Sequence, residues 1–217
     1  MMADIILKNI KKSFGDKVLF NNLSLSVERG DFLAIMGESG AGKTTLLNMM
    51  GLLDIPDSGT ITICGQKDIP FSSHAAVELR RHHISYLFQN YGLIDTETVE
   101  SNMRVATHFK RLSGKKEKRV ISKALEQVGL QGYEHRKVYT LSGGEQQRVA
   151  LAKVIAKSPQ IVFADEPTGS LDEQNRNYVL EILKELNHQG KTIIVVTHDP
   201  FVNECAKQHI SLTRGRL

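Results

Sequence analysis

The stretch Gly37-Glu38-Ser39-Gly40-Ala41-Gly42-Lys43-Thr44 decides the fold of this chain. It matches the pattern G-x-x-x-x-G-K-[ST], whose glycines let backbone N–H groups turn inward around phosphate oxygens. The apolar run 32–36 before it predicts a strand buried on both faces, and residues 45–50 after it predict a helix. Strand, Gly-rich loop and helix in this order are the context that the pattern requires, so we predict a phosphate-binding loop.

A second motif ends the apolar strand 161–166 in two adjacent carboxylates, Asp165 and Glu166. In a phosphate-binding enzyme, Lys43 reaches the β- and γ-phosphates, while Thr44 and Asp165 are placed to hold Mg²⁺. Glu166 is placed to orient or deprotonate an attacking water. A solvent-exposed strand end is the alternative interpretation of the two carboxylates.

A third motif, Leu141-Ser142-Gly143-Gly144-Glu145, opens a helical run about a hundred residues after the phosphate loop. Its small residues allow close approach of another backbone, and its N–H groups can meet a γ-phosphate held by a second subunit. We therefore predict a nucleotide hydrolase that works as a sandwich dimer. An ordinary Ser-Gly-Gly turn is the alternative.

Hydrophobic periodicity predicts an α/β doubly wound core with a helical insertion from about 90 to 157. The predicted strands are 5–10, 17–20, 23–27, 32–36, 60–64, 84–88, 160–165, 192–197 and 209–213. The predicted helices besides the one that follows Leu141 are 45–50, 75–81, 97–112, 118–128 and 173–188.

The composition is that of a soluble domain of 217 residues with a formal net charge of +4. The basic segment 115–119 indicates an exposed helix start rather than a nucleic-acid patch. Cys64 and Cys205 are expected to be reduced thiols, and the histidines at 74, 82 and 83 lack the partners of a metal site. No apolar stretch reaches the roughly 18–20 residues of a membrane span, so any membrane part is expected in another chain.

Taken together, the motifs resemble the ATP-binding subunit of an ABC transporter over essentially the whole chain. The matching segments are 37–44, Gln89, 141–148, 165–168, 170–172 and 197–199. The resemblance implies a P-loop NTPase (RecA-like) core, an antiparallel β subdomain and a helical subdomain within a single domain, 1–217. The core with the β subdomain would comprise 1–88 and 158–217, and the helical subdomain 89–157. It also implies a head-to-tail dimer with two ATP molecules at the interface.

The resemblance also assigns roles to residues of this sequence. The ATP-binding residues would be Phe14, Val18, Gly37, Ser39, Gly40, Ala41, Gly42, Lys43, Thr44, Thr45, Ser142, Gly143, Gly144, Glu145 and Asp172. The Mg²⁺ ligands would be Thr44, Gln89 and Asp165, and the catalytic residues Glu166, His198, Gln89 and Lys43. His198 would donate to the γ-phosphate while contacting Glu166. Phe14 would stack on adenine, and a core phenylalanine is the alternative.

Within the family, residues 144–148 and 166–172 most resemble the bacterial macrolide-exporter and lipoprotein-release group, although Ser170 stands where the family usually has Asn. This implies an ATPase subunit at the cytoplasmic face of a bacterial membrane that forms a homodimer, drives integral permease subunits and binds no nucleic acid. Because residues 214–217 follow soon after the last predicted strand, no C-terminal regulatory domain is expected. A nucleotide-cycling scaffold of a cell-division complex and a translation or DNA-repair ATPase are the alternatives.

Overall fold

Two sheets organise the chain in the computed structural model, which describes residues 2–169 and 171–213. The predictions on Ser170 and on 214–217 lie outside the described residues. The strands are β1 (Ala3–Phe14), β2 (Lys17–Glu28), β3 (Phe32–Gly37), β4 (Ser58–Ile63), β5 (Gln66–Lys67), β6 (Ile84–Leu87), β7 (Ile161–Asp165), β8 (Thr192–Val196) and β9 (Gln208–Leu212). The α-helices are α1 (Lys43–Met50), α2 (His74–His82), α3 (Val99–Thr107), α4 (Gly114–Gln127), α5 (Gly143–Lys157), α6 (Glu173–His188) and α7 (Pro200–Cys205).

The first sheet is antiparallel, with the strand order β2-β1-β4-β5. Alternating apolar residues of β1, such as Ile5 and Leu7, are buried, because side chains on a strand point to opposite faces in turn. The register between β1 and β2 shifts at several points, which absorbs the bends of two long strands.

The second sheet is parallel, with the order β6-β7-β8-β3-β9. Leu33 and Ile35 of β3 enter one apolar cluster and Phe32 enters the other, so both faces of the sheet are covered. The carboxyl ends of parallel strands meet at one edge, where ligands bind in such folds. That edge holds the ends of β3, β6, β7 and β8, and therefore all the core motifs.

Helices α3, α4 and α5 form the second apolar cluster together with the far face of the sheet. Met103 of α3, Leu125 of α4 and Leu151 of α5 are fully buried there. The signature segment at 141–145 thus opens a helix that is fixed by packing along its length.

Several element predictions are wrong in detail. The separate strands 17–20 and 23–27 are one strand, β2. The helix predicted over 97–112 stops at Thr107, followed by a 3₁₀ turn and Arg111 with a φ of 50°. The helix predicted from Lys118 begins at Gly114. The short elements β5 and α7 have no counterpart among the predictions.

Within residues 2–169 and 171–213, no helix combines the length and the apolar character that crossing a bilayer requires. Across the same ranges, no three His, Cys, Asp or Glu side chains are grouped as a metal site. His74 and His82 instead flank Glu78, at 3.9 and 3.3 Å.

Candidate functional site

A cavity of about 930 Å³ opens at the carboxyl edge of the parallel sheet. It is lined by residues of the phosphate loop, the end of β7 and the segments that follow β6 and β8. The predicted site residues among the lining are Phe14, Ser39, Gly40, Gly42, Lys43, Thr44, Thr45, Gln89, Asp165, Glu166 and His198. The fold therefore brings eleven residues from five separate stretches of sequence to one cavity.

Two glycines of the loop allow the backbone to pass close to its neighbours. Gly37 has a φ of 140°, and a Cβ there would lie 2.1 Å from the carbonyl oxygen of Leu212 in β9. Gly42 has a φ of 97° and caps α1 with no side-chain hydrogen bond. Because the first N–H groups of a helix lack intrahelical acceptors, they are available to an anion at this position.

The ammonium of Lys43 is buried in the loop, with 8% of the residue exposed. Its Nζ donates to the carbonyl oxygens of Gly37 at 2.7 Å and Glu38 at 3.0 Å. It also lies 3.0 Å from Nε2 of His198. A buried cation among uncapped N–H groups favours a polyphosphate, which supplies negative charge and acceptor oxygens together.

Thr44 and Asp165 approach each other across the cavity, with Thr44 Oγ1 donating to Asp165 Oδ1 at 3.3 Å. Burial raises the pKa of Asp165, while the Thr44 hydroxyl and the Lys43 charge act in the opposite direction. A hydroxyl and a carboxylate are hard oxygen ligands of the kind that Mg²⁺ takes beside phosphate oxygens. The donor set fits Mg²⁺, and Gln89 lines the same cavity.

Glu166 is held in an unusual backbone conformation, with a φ of 47°. Its N–H donates to the carbonyl of Val196 at 2.9 Å, which ties it to the end of β8. Its carboxylate accepts from the backbone N–H of His198 at 3.3 Å and lies 3.4 Å from Nε2 of that ring. Side chains rarely adopt the left-handed region, so the contacts of Glu166 with the end of β8 must hold it in this conformation.

The aromatic edge of the cavity differs from the prediction at one position. Phe14 lines the cavity with 54% of the residue exposed, so it is not a core side chain. Val18 is 56% exposed and is absent from the lining, whereas Lys17 and Leu19 on either side of it are present. Lys17 Nζ donates to the carbonyl oxygen of Gly40 at 3.2 Å.

The signature segment is built as a helix start and does not line the cavity of its own chain. Ser142 and Glu145 form a reciprocal capping box: Ser142 N–H donates to Glu145 Oε2 at 2.8 Å, and Glu145 N–H donates to Ser142 Oγ at 3.3 Å. The Ser142 backbone N–H lowers the pKa of Glu145, and the Tyr133 hydroxyl adds to the effect. Gly143, Gly144 and Asp172 are likewise absent from the lining, as are Gly37 and Ala41.

Asn175 connects the signature segment with Asp172, a link that the sequence did not indicate. Its Nδ2 donates to Asp172 at 2.7 Å, and its Oδ1 accepts from Arg148 at 2.7 Å. A Cβ on Gly144 would lie 2.8 Å from the amide of Asn175. The starts of α5 and α6 are therefore fixed against each other.

The cavity lining also includes residues that were not assigned a role from the sequence, among them Thr168, Arg176, Asp199 and Phe201. Thr168 Oγ1 donates to Asp199 Oδ2 at 3.0 Å, and Asp199 in turn caps α7. The guanidinium of Arg176 lies 4.1 Å from the ring centroid of Phe201, at the cavity wall. Thr168 and Asp199 belong to the matching segments 165–168 and 197–199, which was the available signal, whereas Arg176 and Phe201 lie outside every motif.

The comparisons with known proteins agree with this geometry. The family model described as "ABC transporter" matches residues 20–169. The chain belongs to the ABC transporter family. The cassette is 38% identical over 213 residues to the macrolide export ATP-binding/permease protein MacB of Campylobacter jejuni, a match that covers 98% of this chain and 33% of the relative. The chain thus spans about one third of the length of the curated relatives it matches.

Two solved structures of a bacterial ABC transporter cassette, MJ0796, match the whole fold. The dimeric structure is 36% identical with a TM-score of 0.91, covering 98% of this chain and 96% of that one. The dimeric post-hydrolysis state, bound to ADP and Pi, is 35% identical with a TM-score of 0.90 and the same coverage. The predicted family, fold class and ATPase activity of the cassette are confirmed.

Proposed function

We propose that this cassette is the ATP-hydrolysing subunit of a multi-chain transporter, in which two copies close head-to-tail around two ATP molecules. The observation that carries the proposal is the split between the cavity and the signature segment. Lys43, Glu166 and His198 surround the cavity, while Gly143 and Gly144 open α5 away from it, and their N–H groups, as the first of the helix, have no intrahelical acceptor. A second copy of the chain can supply the helix start that the cavity of the first copy lacks.

Different residues of one chain bind the adenine, bind the phosphates and act on the attacking water. Phe14 stacks on the adenine, and Lys43 with the N–H groups of the loop binds the phosphates. Glu166 takes a proton from the attacking water, and His198 holds the carboxylate and donates to the γ-phosphate. Thr44, Gln89 and Asp165 would hold Mg²⁺, which neutralises charge on the phosphate oxygens.

Closure and reopening of this dimer would drive integral membrane subunits from the cytoplasmic face of a bacterial membrane. The segment 89–157 would form a helical subdomain that moves with Gln89, and the surface near 91–93 would receive the membrane partner. MacB is by name a macrolide exporter. We therefore propose that the transporter exports or extracts an antibiotic, a peptide or a lipoprotein-like cargo.

The test uses the Glu166→Gln variant, which keeps the shape of the site and loses the base. We expect it to bind ATP, to lose at least about 10²-fold in turnover and to accumulate as a dimer. Tagged Glu166→Gln would then be recovered with ATP from detergent-solubilised native membranes. A multi-span partner with a large extracytoplasmic domain supports the proposal. Recovery of a cell-wall hydrolase complex would contradict transport and support the cell-division scaffold. Recovery of ribosomes or DNA would support a translation or DNA-repair ATPase instead.

A further inference from the structure

Lys12 is a buried cation near the end of β1, two residues before Phe14. Only 7% of the residue is exposed, whereas its neighbour Lys11 is exposed to solvent. Its Nζ donates to Asp54 Oδ1 at 2.8 Å and to the carbonyl oxygen of Ile55 at 2.6 Å. Burial of a charge is costly unless the charge is paired and hydrogen-bonded, and these two acceptors both satisfy the ammonium and fix its position.

The fixed ammonium lies over one face of the Phe14 ring, with Nζ 5.0 Å from the ring centroid. The negative face of an aromatic ring attracts a cation within about 6 Å of the centroid. Phe14 is otherwise open, with 54% of the residue exposed, and it lines the same cavity as the phosphate loop. Because Lys12 occupies one face of the ring, the other face remains for a planar group in the cavity.

Phe14 depends on this cation for its orientation. Across residues 2–169 and 171–213, no aromatic ring stacks on Phe14 and no other cation lies over it. An exposed side chain loses rotamer freedom when it binds a ligand, and this loss weakens the binding. A cation fixed on one face holds the ring before the ligand arrives, so less freedom is lost on binding.

The segment that holds Lys12 also connects the end of β1 with α1. The backbone N–H of Asp54 donates to the carbonyl oxygen of Asn48 in α1 at 3.2 Å. Asp57 Oδ2 accepts from the backbone N–H of Ser13 at 2.7 Å. Since α1 begins in the phosphate loop, these contacts set the position of the aromatic ring relative to the groups that bind the phosphates.

We propose that Lys12 is a positioning residue for the nucleotide base. Its anchored ammonium holds one face of the Phe14 ring, so that the other face receives the adenine. The inference rests on the proposed function, in which Phe14 stacks on the adenine. Lys12 acts through the ring and does not touch the nucleotide. It therefore raises the affinity for ATP, while the phosphate contacts and the chemical step do not depend on it.

The first experiment compares ATP with inorganic tripolyphosphate, which has three phosphates and no base. Isothermal titration calorimetry of the full chain measures both affinities in the wild type and in Lys12→Met. We expect Lys12→Met to bind ATP about three- to tenfold more weakly, the size of a cation–π contact, and to bind tripolyphosphate as the wild type does. An unchanged ATP affinity, or an equal loss for both ligands, would overturn the inference.

Turnover gives a second readout, which a merely structural role would not produce. Lys12→Met should raise the KM for ATP by the same three- to tenfold, with kcat within about twofold of the wild type. A fall in kcat with an unchanged KM contradicts a role in positioning the base. Lys12→Gln keeps a donor for Asp54 and loses the charge, so it should show the same loss of affinity if Lys12→Met does not fold.

Three further variants locate the effect in the ring. In the Phe14→Leu background, Lys12→Met should cause no further loss of ATP affinity, because the cation acts through the ring. Lys12→Arg keeps the charge and should stay within about twofold of the wild type. Lys11→Met, on the same strand and exposed, is the matched control and should bind ATP normally. Losses that add in the double variant would overturn the inference.

The variants also separate this inference from the proposed function. If Phe14→Leu binds ATP as tightly as the wild type, the stacking of Phe14 on adenine is wrong and the inference falls with it. If Phe14→Leu weakens ATP binding while Lys12→Met and Lys12→Gln do not, only the inference is wrong.

Discussion

Gly37 shows how one residue joins the phosphate loop to the rest of the sheet. It ends β3 in a conformation with a φ of 140° and faces the carbonyl of Leu212. Side chains rarely adopt this conformation, and the space for a Cβ is taken by backbone that belongs to β9. The loop therefore starts at a fixed point, from which the N–H groups up to α1 are aimed into the cavity.

We expect Gly37→Ala to destabilise the fold by more than about 4 kcal/mol or to prevent folding, because strain and overlap with β9 act together. Gly190→Ala is the matched control: Gly190 also has a positive φ, 83°, but a Cβ there meets no atom within 4 Å. The control should lose only about 1–2 kcal/mol. Urea unfolding of both variants measures the difference, and equal losses would show that overlap with Leu212 is not the cause.

Residue types and spacing were sufficient to predict which residues meet at the centre of the cavity. Lys43, Thr44, Asp165, Glu166 and His198 all line one cavity because each ends a strand or opens a helix at the same sheet edge. The sequence did not show which face of β2 is turned towards the cavity. Side chains alternate along a strand, so Lys17 and Leu19 share the face that lines the cavity, and Val18 lies on the other face.

At the scale of elements, α5 has a start that serves both folding and function. Ser142 caps α5, and Ser73 caps α2 in the same way, by accepting from Ala76 N–H. We expect Ser142→Ala and Ser73→Ala each to lower the free energy of unfolding by about 1 kcal/mol. Only Ser142→Ala should also lower ATP turnover in the dimer. If both variants lost turnover alike, Ser142 would be a structural cap alone.

The other end of α5 predicts a pH dependence of stability. The folded pKa of Lys157, about 8, is below the value of 10.5 expected in the unfolded chain. Between these pH values the unfolded state binds more protons, so stability rises with pH, by at most about 3 kcal/mol. Well below pH 8, Lys157 is protonated in both states, so the cost of burying its charge lowers the free energy of unfolding by the full amount. Lys157→Met should remove this rise, and Lys184→Met should retain it, in unfolding curves measured from pH 7 to 10.5.

The elements that the sequence failed to predict are short and depend on pairing or capping contacts rather than on a hydrophobic pattern of their own. Strand β5 has only the residues Gln66 and Lys67 and exists through pairing with β4. Helix α7 starts from the Asp199 cap with Pro200 at its first turn, and Thr168 from another loop holds that cap. Strand β8 was predictable because four of its five residues, 193–196, are a continuous apolar run. Every residue of Thr192–Val196 is buried in the structure.

At the scale of the whole molecule, the cavity and the signature segment of one chain do not meet, and in the proposed dimer they would be the two halves of one site. The cavity holds the phosphate loop and Glu166, while Ser142 and Gly143 open α5 elsewhere. Because a two-fold dimer pairs each surface with its counterpart twice, two copies in the proposed head-to-tail dimer would make two composite sites. Gln147 Nε2 donates to the carbonyl oxygen of Pro167 at 2.9 Å, so the signature helix and the strand end with Glu166 are also linked within each chain.

Mixing two inactive variants tests this arrangement. Glu166→Gln damages the cavity, and Gly143→Asp places a negative charge where the other chain's γ-phosphate would dock; Gly143 is exposed, and a Cβ there would meet the hydroxyl of the Tyr91 side chain at 3.2 Å. In a head-to-tail heterodimer both defects fall in one site, and the other site is intact. Random pairing then restores about a quarter of wild-type turnover. Each variant mixed with wild-type chain is the control for dimer exchange. If every site used the signature segment of its own chain, the mixture would stay as inactive as its parents, because no chain carries both intact halves.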